Sequence, residues 1–148
     1  MKKEKEKNFN VLGVDHIGIV TKKNSDLKNI LENILKFQAS KEEEVKDQKI
    51  KVRKYKINKS SSDSCSTVLE TLEPTSKESI ISKFREKKGS GIHHIALSVD
   101  HIQATIDTLL NNKIRMINKQ PIIGADSCKI AFIHPSSTAG ILIELIEK

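Results

Sequence analysis

One stretch of this chain occurs twice. Val14-Asp15-His16-Ile17-Gly18-Ile19-Val20 near the start matches Ile92-His93-His94-Ile95-Ala96-Leu97-Ser98 in the middle. Each run places a histidine ahead of an isoleucine, a small residue and an aliphatic, and each leads into a helix-like stretch. Each half then closes on an apolar run with a carboxylate inside it, Leu69-Glu70-Thr71-Leu72-Glu73 and Ile143-Glu144-Leu145-Ile146-Glu147. His16 precedes Glu70 by 54 residues, and His94 precedes Glu144 by 50. A chain built this way is constrained to two related modules. Two copies of one unit, each giving one imidazole and one carboxylate, can supply four N/O ligands to a single metal ion.

The periodicity fills in the modules. Residues 11–21 alternate as a strand. Asn24 or Ser25 is placed to cap a helix to about Lys36, with Leu27, Ile30, Leu31, Ile34 and Leu35 on one stripe. Residues 37–48 read as loop or strand edge. Residues 49–57 alternate as a strand with a slip at Arg53-Lys54, Asn58–Ser66 is a serine-rich loop, and Thr67–Leu72 is a strand ended by Pro74. A short helix follows from Ser76 to about Lys87, and Gly89-Ser90-Gly91 divides the halves. The second half repeats the order: a strand over 92–99, a helix capped by Asp100 to about Asn111, and a short strand over Lys113–Met116. Pro121–Ala125 is a turn-rich link, Lys129–Ile133 a strand, His134–Gly140 a hairpin loop and Ile141–Ile146 the last strand. Each half is thus β-α-β-β-β. The expected organisation is a charged tail over 1–8 and a single α+β domain over 9–148, with modules at about 10–88 and 91–148.

Alternation along a strand puts His16 on one face with Gly18 and Val20, and His94 with Ala96 and Ser98. Ile17 and Ile19, and Ile95, Leu97 and Val99, then face the apolar side, so that both histidines lie opposite it beside small residues. Glu70 and Glu144 fall inside apolar strands, where a buried carboxylate is costly unless paired or bound to a cation. The two imidazoles and two carboxylates together suit a borderline or hard divalent ion, Co, Ni, Mn, Zn or Fe, with coordination positions left open. Of the other histidines, His93 falls on the apolar face as a hydrogen-bonded core residue, His101 near a helix start, and His134 in the hairpin loop.

Composition narrows the function classes. With 36% hydrophobic residues, no run approaches the ~18 apolar residues that a membrane span requires. Met1–Lys7 alternates lysine and glutamate with no apolar core, unlike a secretory or transit peptide. Cys65 and Cys128 form no CxxC pair and read as free thiols of an intracellular domain. The net charge of +7 favours anionic partners, but four Phe, one Tyr and no Trp leave little for base stacking. A phosphorylated small molecule fits the charge better than a nucleic acid, and a solvated lysine-rich surface accounts for much of it.

On these residues the sequence resembles methylmalonyl-CoA epimerases of the vicinal oxygen chelate (glyoxalase/bleomycin-resistance) superfamily. The resemblance rests on Gly13–Ile19, on Gly91–Leu97 and above all on Ile130-Ala131-Phe132-Ile133-His134-Pro135-Ser136-Ser137-Thr138-Ala139-Gly140-Ile141-Leu142-Ile143-Glu144-Leu145. It runs from about residue 10 to 148. It implies paired βαβββ modules forming a half-open barrel around a divalent metal, Co2+ above Ni2+, Mn2+ or Zn2+, held by His16, Glu70, His94 and Glu144. The implied reaction is an isomerisation of propionate metabolism, the epimerisation of (2R)- and (2S)-methylmalonyl-CoA. The α-proton leaves to give an enolate and returns on the other face, with Glu144 as proton carrier as well as ligand. Gln48, His134 and Ser136 are the substrate-contact candidates. The expected assembly is a homodimer, and the expected compartment the cytoplasm, or the mitochondrial matrix in a eukaryote.

Two departures stand out. Some members carry a second Glu where this chain has Val52, and valine cannot carry a proton; Gln48, Asp47 or a metal-bound water remain to do so. The family's His-Pro-Lys loop is His134-Pro135-Ser136 here, so a cation is missing, with Lys129, Lys49, Lys51 or Arg53 as replacements. The rival readings are a bacterial-type glyoxalase I, which tends to have an Asp-Pro-Asp-Gly turn before the last strand, and a non-catalytic ligand-binding protein of the same fold, which would not need four ligands.

Overall fold

In the computed structural model, residues 8–22, 26–57 and 66–148 are described. The helix cap expected at Asn24 or Ser25, and all but the end of the serine-rich loop with Cys65, lie outside them. The chain divides into two compact units, one comprising Met1–Asp15 with His94–Lys148, the other His16–His93.

The unit His16–His93 is built on three strands: β1 (Val11–Val20), of which it holds the second half, β4 (Ile50–Lys56) and β5 (Val68–Pro74). β5 is the middle one, parallel to β1 and antiparallel to β4. The short strands β2 (Gln38–Ala39) and β3 (Glu43–Val45) both pair with β4. The registers align residues in rows across the three strands. Gly18, Glu70 and Lys54 form one row, and Val20, Leu72 and Val52 the next. Residues in register point to the same face. On that face Val20, Ile50, Val52, Leu72 and Ile81 make a buried apolar cluster, with Phe84 packed against it. The β4–β5 register is continuous across Arg53-Lys54, so the slip in the pattern is no bulge. Ile50 and Val52 are buried on one face and Tyr55 on the other, because both faces of β4 are covered.

The first helix departs most from expectation. Regular α-helix covers only α1 (Asp26–Asn29), and a π turn follows at Ile30–Ile34, closed by Leu35 N–H on the Ile30 carbonyl at 2.8 Å. The wider turn rotates later residues off the stripe. Leu31 is buried, while Ile34 and Leu35 are 63% and 51% exposed. α2 (Ile80–Lys88) starts later than the expected Ser76: Ser79 caps it by accepting from the Ile81 N–H at 3.2 Å.

The other unit holds β6 (Gly91–Val99) from His94 onward, β8 (Lys129–Ile133) and β9 (Leu142–Glu147), with β9 parallel to β6 and antiparallel to β8; β7 (Ile122–Ile123) pairs on the far side of β8. The strand expected at Lys113–Met116 is a single bridge from Met116 to Ile133. α3 (Ile102–Asn111) sets Ile102 and Ile106 on a cluster with Val99, Ala131, Ile133 and Leu145. The opposite face of the same strands carries a second cluster of Ala96, Ile130 and Ile146. The histidine faces are therefore apolar too, a correction to the expectation that they lie opposite the core. Asp100 does not cap α3. Its carboxylate accepts from the backbone and side-chain N–H groups of Asn10, both at 2.7 Å. The Ile102 N–H is instead taken by the Glu147 carboxylate, at 2.9 Å, from the end of β9.

A buried His/Glu pair in each unit

Each unit buries one histidine against one glutamate. In the unit His16–His93, parallel pairing sets Glu70 beside Gly18 and one step from His16. The absent side chain at Gly18 leaves room, and His16 Nε2 lies 3.4 Å from Glu70 Oε2. In the other unit Glu144 is in register with Ala96, one step from His94, and His94 Nε2 lies 3.1 Å from Glu144 Oε2. All four side chains are buried, at 6–7% exposure. Small residue, glutamate and histidine recur in the same relation because the repeat preserves strand order and register. Oxygen and imidazole nitrogen donors at such separations are a fitting donor set for a divalent cation, and buried carboxylates gain from a positive partner.

The walls of the two pairs differ. Beside Glu144 in register stands Phe132, whose ring meets that of His94 edge-on at 6.3 Å. Beside Glu70 stands Lys54. Phe132 and Lys54 are each 78 residues from the other, as are His94 and His16. Lys54 and Glu70 are 16 apart in sequence but Phe132 and Glu144 only 12. The four extra residues thus fall in the β4–β5 connection, where the serine-rich loop puts them.

The remaining candidates occupy turns. His134 accepts the Ser136 N–H on Nδ1 at 3.0 Å, and the same nitrogen lies 2.8 Å from Ser136 Oγ. Pro135–Ser137 is a single 3-10 turn, and the imidazole caps it. Gln48 is exposed at the end of the turn Lys46–Gln48, its carbonyl accepting from Ser79 Oγ at 3.3 Å. His93 is half-buried, with its ring edge-on to Phe84 at 4.9 Å. His101 is at the N-cap of α3. Val52 is 3% exposed in the apolar cluster. Sequence reasoning missed Glu32, which binds Arg53 Nη1 at 2.7 Å and the Tyr55 hydroxyl at 2.9 Å. Burial raises the Glu32 pKa, but hydrogen bonds from Arg53 and Tyr55 outweigh it and leave the carboxyl below its ordinary value. Burial, then the bond to Glu32, pushes the Tyr55 hydroxyl up to about 12. The signal was the change of buried face between Val52 and Tyr55.

The chain belongs to the Glyoxalase/Bleomycin resistance protein/Dioxygenase superfamily, whose pattern matches residues 15–132. Within it, the chain is 35% identical to uncharacterized protein YqjC of Bacillus subtilis (strain 168), across 90% of this chain and 91% of that one. It is 45% identical to the mitochondrial methylmalonyl-CoA epimerase of Dictyostelium discoideum over 83 residues, 55% of this chain and 50% of that protein. The match thus spans about half the length of that epimerase. A methylmalonyl-CoA epimerase solved in complex with methylmalonyl-CoA and NH4+ superimposes with a TM-score of 0.84 at 28% identity, covering 94% of this chain and 96% of the other. No helix among the described residues is long and apolar enough to cross a membrane.

Proposed function

We propose that this protein is an isomerase that epimerises methylmalonyl-CoA at C2, using a divalent metal held by His16, Glu70, His94 and Glu144. The observation that carries the reading is the buried His/Glu pair, repeated once per unit on strands of matching register. Relatives of nearly equal length and known structure that are named for this activity support it. A divalent ion at these four residues supplies Lewis-acid stabilisation of the negative charge that develops as the α-proton leaves, an effect of several kcal/mol.

The chain's own groups do the rest. His16 and His94 present Nε2 towards Glu70 and Glu144 and would hold the ion through that nitrogen. Glu144 takes the α-proton from one face of C2 and can return it. The second carrier is not Val52, which has no ionisable group and is packed in the core. The apolar residues Phe132 and Ala96 beside Glu144 limit water around the reacting carbon, which strengthens the electrostatics there. Gln48, His134 and Ser136 contact the substrate outside the ligand set. Co2+ is the ion we favour, and the assembly a homodimer, for which exposed Val11, Leu12 and Val14 offer apolar surface.

The test is solvent deuterium incorporation at C2 of methylmalonyl-CoA, followed by mass spectrometry on Co2+-loaded protein and again after EDTA. Exchange that disappears with the metal is the expected result. Exchange in neither state removes the epimerase reading, and turnover of methylglyoxal with glutathione would replace it with a glyoxalase.

A further inference from the structure

His134 stands on the same sheet face as Glu144. β8 and β9 pair Phe132 with Glu144 and Ile133 with Ile143. The backbone is still extended at His134, with φ −67° and ψ 135°, and its N–H bonds to the Arg115 carbonyl at 2.8 Å on the far edge of β8. One more step of the register therefore sets His134 opposite Leu142, on the face that carries Phe132 and Glu144. Leu142 is also the register partner of His94 on β6. His94 and His134 thus flank Leu142, each one diagonal step from Glu144. Across that step His94 Nε2 comes within 3.1 Å of the Glu144 carboxylate. Diagonal neighbours are about 7–8 Å apart, within reach of ring side chains. A small group held against Glu144 therefore lies within reach of the His134 ring as well.

The turn that follows fixes the chemistry of the ring. The Ser136 N–H can only donate, so Nδ1, 3.0 Å away, is the acceptor. An imidazole whose Nδ1 accepts carries its proton on Nε2. The half-buried ring is thus held by the turn Pro135–Ser137 with Nε2–H as its donor. A neutral imidazole locked in this tautomer has no lone pair on Nε2 to take a proton. It is suited instead to donate to an oxygen that gains negative charge. We propose that His134 is a catalytic hydrogen-bond donor, whose Nε2–H binds the thioester oxygen of methylmalonyl-CoA and holds the charge that reaches it as the α-proton leaves. The proposal rests on the epimerase reading above and gives His134 a role beyond contact. As the C2–H bond breaks, its proton passes to the Glu144 carboxylate. Its electron pair moves into the C1–C2 bond, and the carbonyl pair moves onto the thioester oxygen. The imidazole keeps its proton throughout; only its hydrogen bond strengthens.

The experiment follows solvent deuterium incorporation at C2 from each epimer separately, on Co2+-loaded full-length wild type, His134→Leu and His134→Gln. Calorimetry gives the affinity of each for methylmalonyl-CoA and for Co2+. Glutamine keeps an N–H donor but carries no proton. His134→Leu should lower kcat about a hundredfold from either epimer, the range for loss of one oxyanion donor. Affinities for methylmalonyl-CoA and Co2+ should stay within about threefold, since the interaction strengthens only as charge develops. His134→Gln should recover about tenfold of the loss. His134→Phe, which also lacks a donor, takes the place of His134→Leu if the leucine variant does not fold. An unchanged kcat would overturn the proposal and leave the imidazole as the cap of its turn. Loss of exchange from one epimer alone, without rescue by glutamine, would overturn it and make His134 a proton carrier. Substrate affinity that falls in step with kcat would overturn it by reducing His134 to a ground-state contact. These three results leave the epimerase reading standing; a wild type that exchanges no C2 proton removes that reading and this role together.

Discussion

Val52 has no ionisable group, and its surroundings explain what a valine does there. It stands beside Leu72 in register and completes the buried cluster of Val20, Ile50, Leu72 and Ile81. Val52→Ala removes two methyl groups from a packed site and should cost about 2 kcal/mol in urea unfolding, while exchange per folded molecule stays near wild type. A folded variant that had lost exchange would show that this position shapes the substrate pocket. Glu144→Gln and His94→Ala should act oppositely. Each removes a donor from the buried pair at 3.1 Å, so bound metal and C2 exchange should both vanish while the circular dichroism of the apo-protein persists. Full metal retention and turnover in either variant would exclude the pair as ligands. At this scale the sequence spoke clearly about His16, Glu70, His94 and Glu144, because the repeat marked them. It was silent on Lys54, which is one of many lysines until the register of β4 with β5 puts it beside Glu70.

Strands were easier to read than helices. β8 has the expected limits and β1, β6 and β9 fall within a residue or so of theirs, since alternation is visible in a single strand. The first helix was misread because its apolar spacing satisfies a regular helix equally well; nothing in Ile30–Leu35 announces a five-residue turn. The α3 cap was misread for another reason. Asp100 has the right chemistry, but Asn10 claims it from 90 residues away, and Glu147 arrives from the chain's last strand to take its place. That exchange has a pH signature. The Ile102 N–H, then Lys129, hold the Glu147 carboxyl below the ordinary glutamate value of 4.5. A carboxylate with a depressed folded-state pKa stabilises the fold above the unfolded value, and this contribution disappears as pH falls below about 4.5. Glu147→Ala should therefore cost about 1 kcal/mol at pH 7 and progressively less towards pH 3. Thermal unfolding across that range measures it; a penalty independent of pH would mean that the charge is irrelevant to the cap.

Across the whole molecule, the net charge of +7 is the property that acts at a distance. CoA carries several negative charges, so the protein's field should speed encounter and support binding at low salt. KM for methylmalonyl-CoA is expected to rise several-fold when ionic strength goes from about 0.05 to 0.5 M, as the Debye length falls below about 5 Å, with kcat little changed. A KM indifferent to salt would assign the lysines to solvation alone. The superfamily was legible in the sequence at this scale because duplication leaves a pattern that no single motif does. The division of the chain into units was less so. Their limits fall inside β1 and β6, at positions where the sequence shows uninterrupted alternation and no linker.

Glu70 and Glu144 each ride on a strand with hydrogen-bonded neighbours on both sides, β5 between β1 and β4, and β9 between β6 and β8. Their backbone amides cannot be reached by fraying from an edge, as those of β2 and β7 can. In hydrogen–deuterium exchange the two glutamate strands should be the last to take up label. A chelator therefore meets a site whose carboxylates are released by rotation about their own side-chain bonds, and stripping the ion should leave amide protection in β5 and β9 intact.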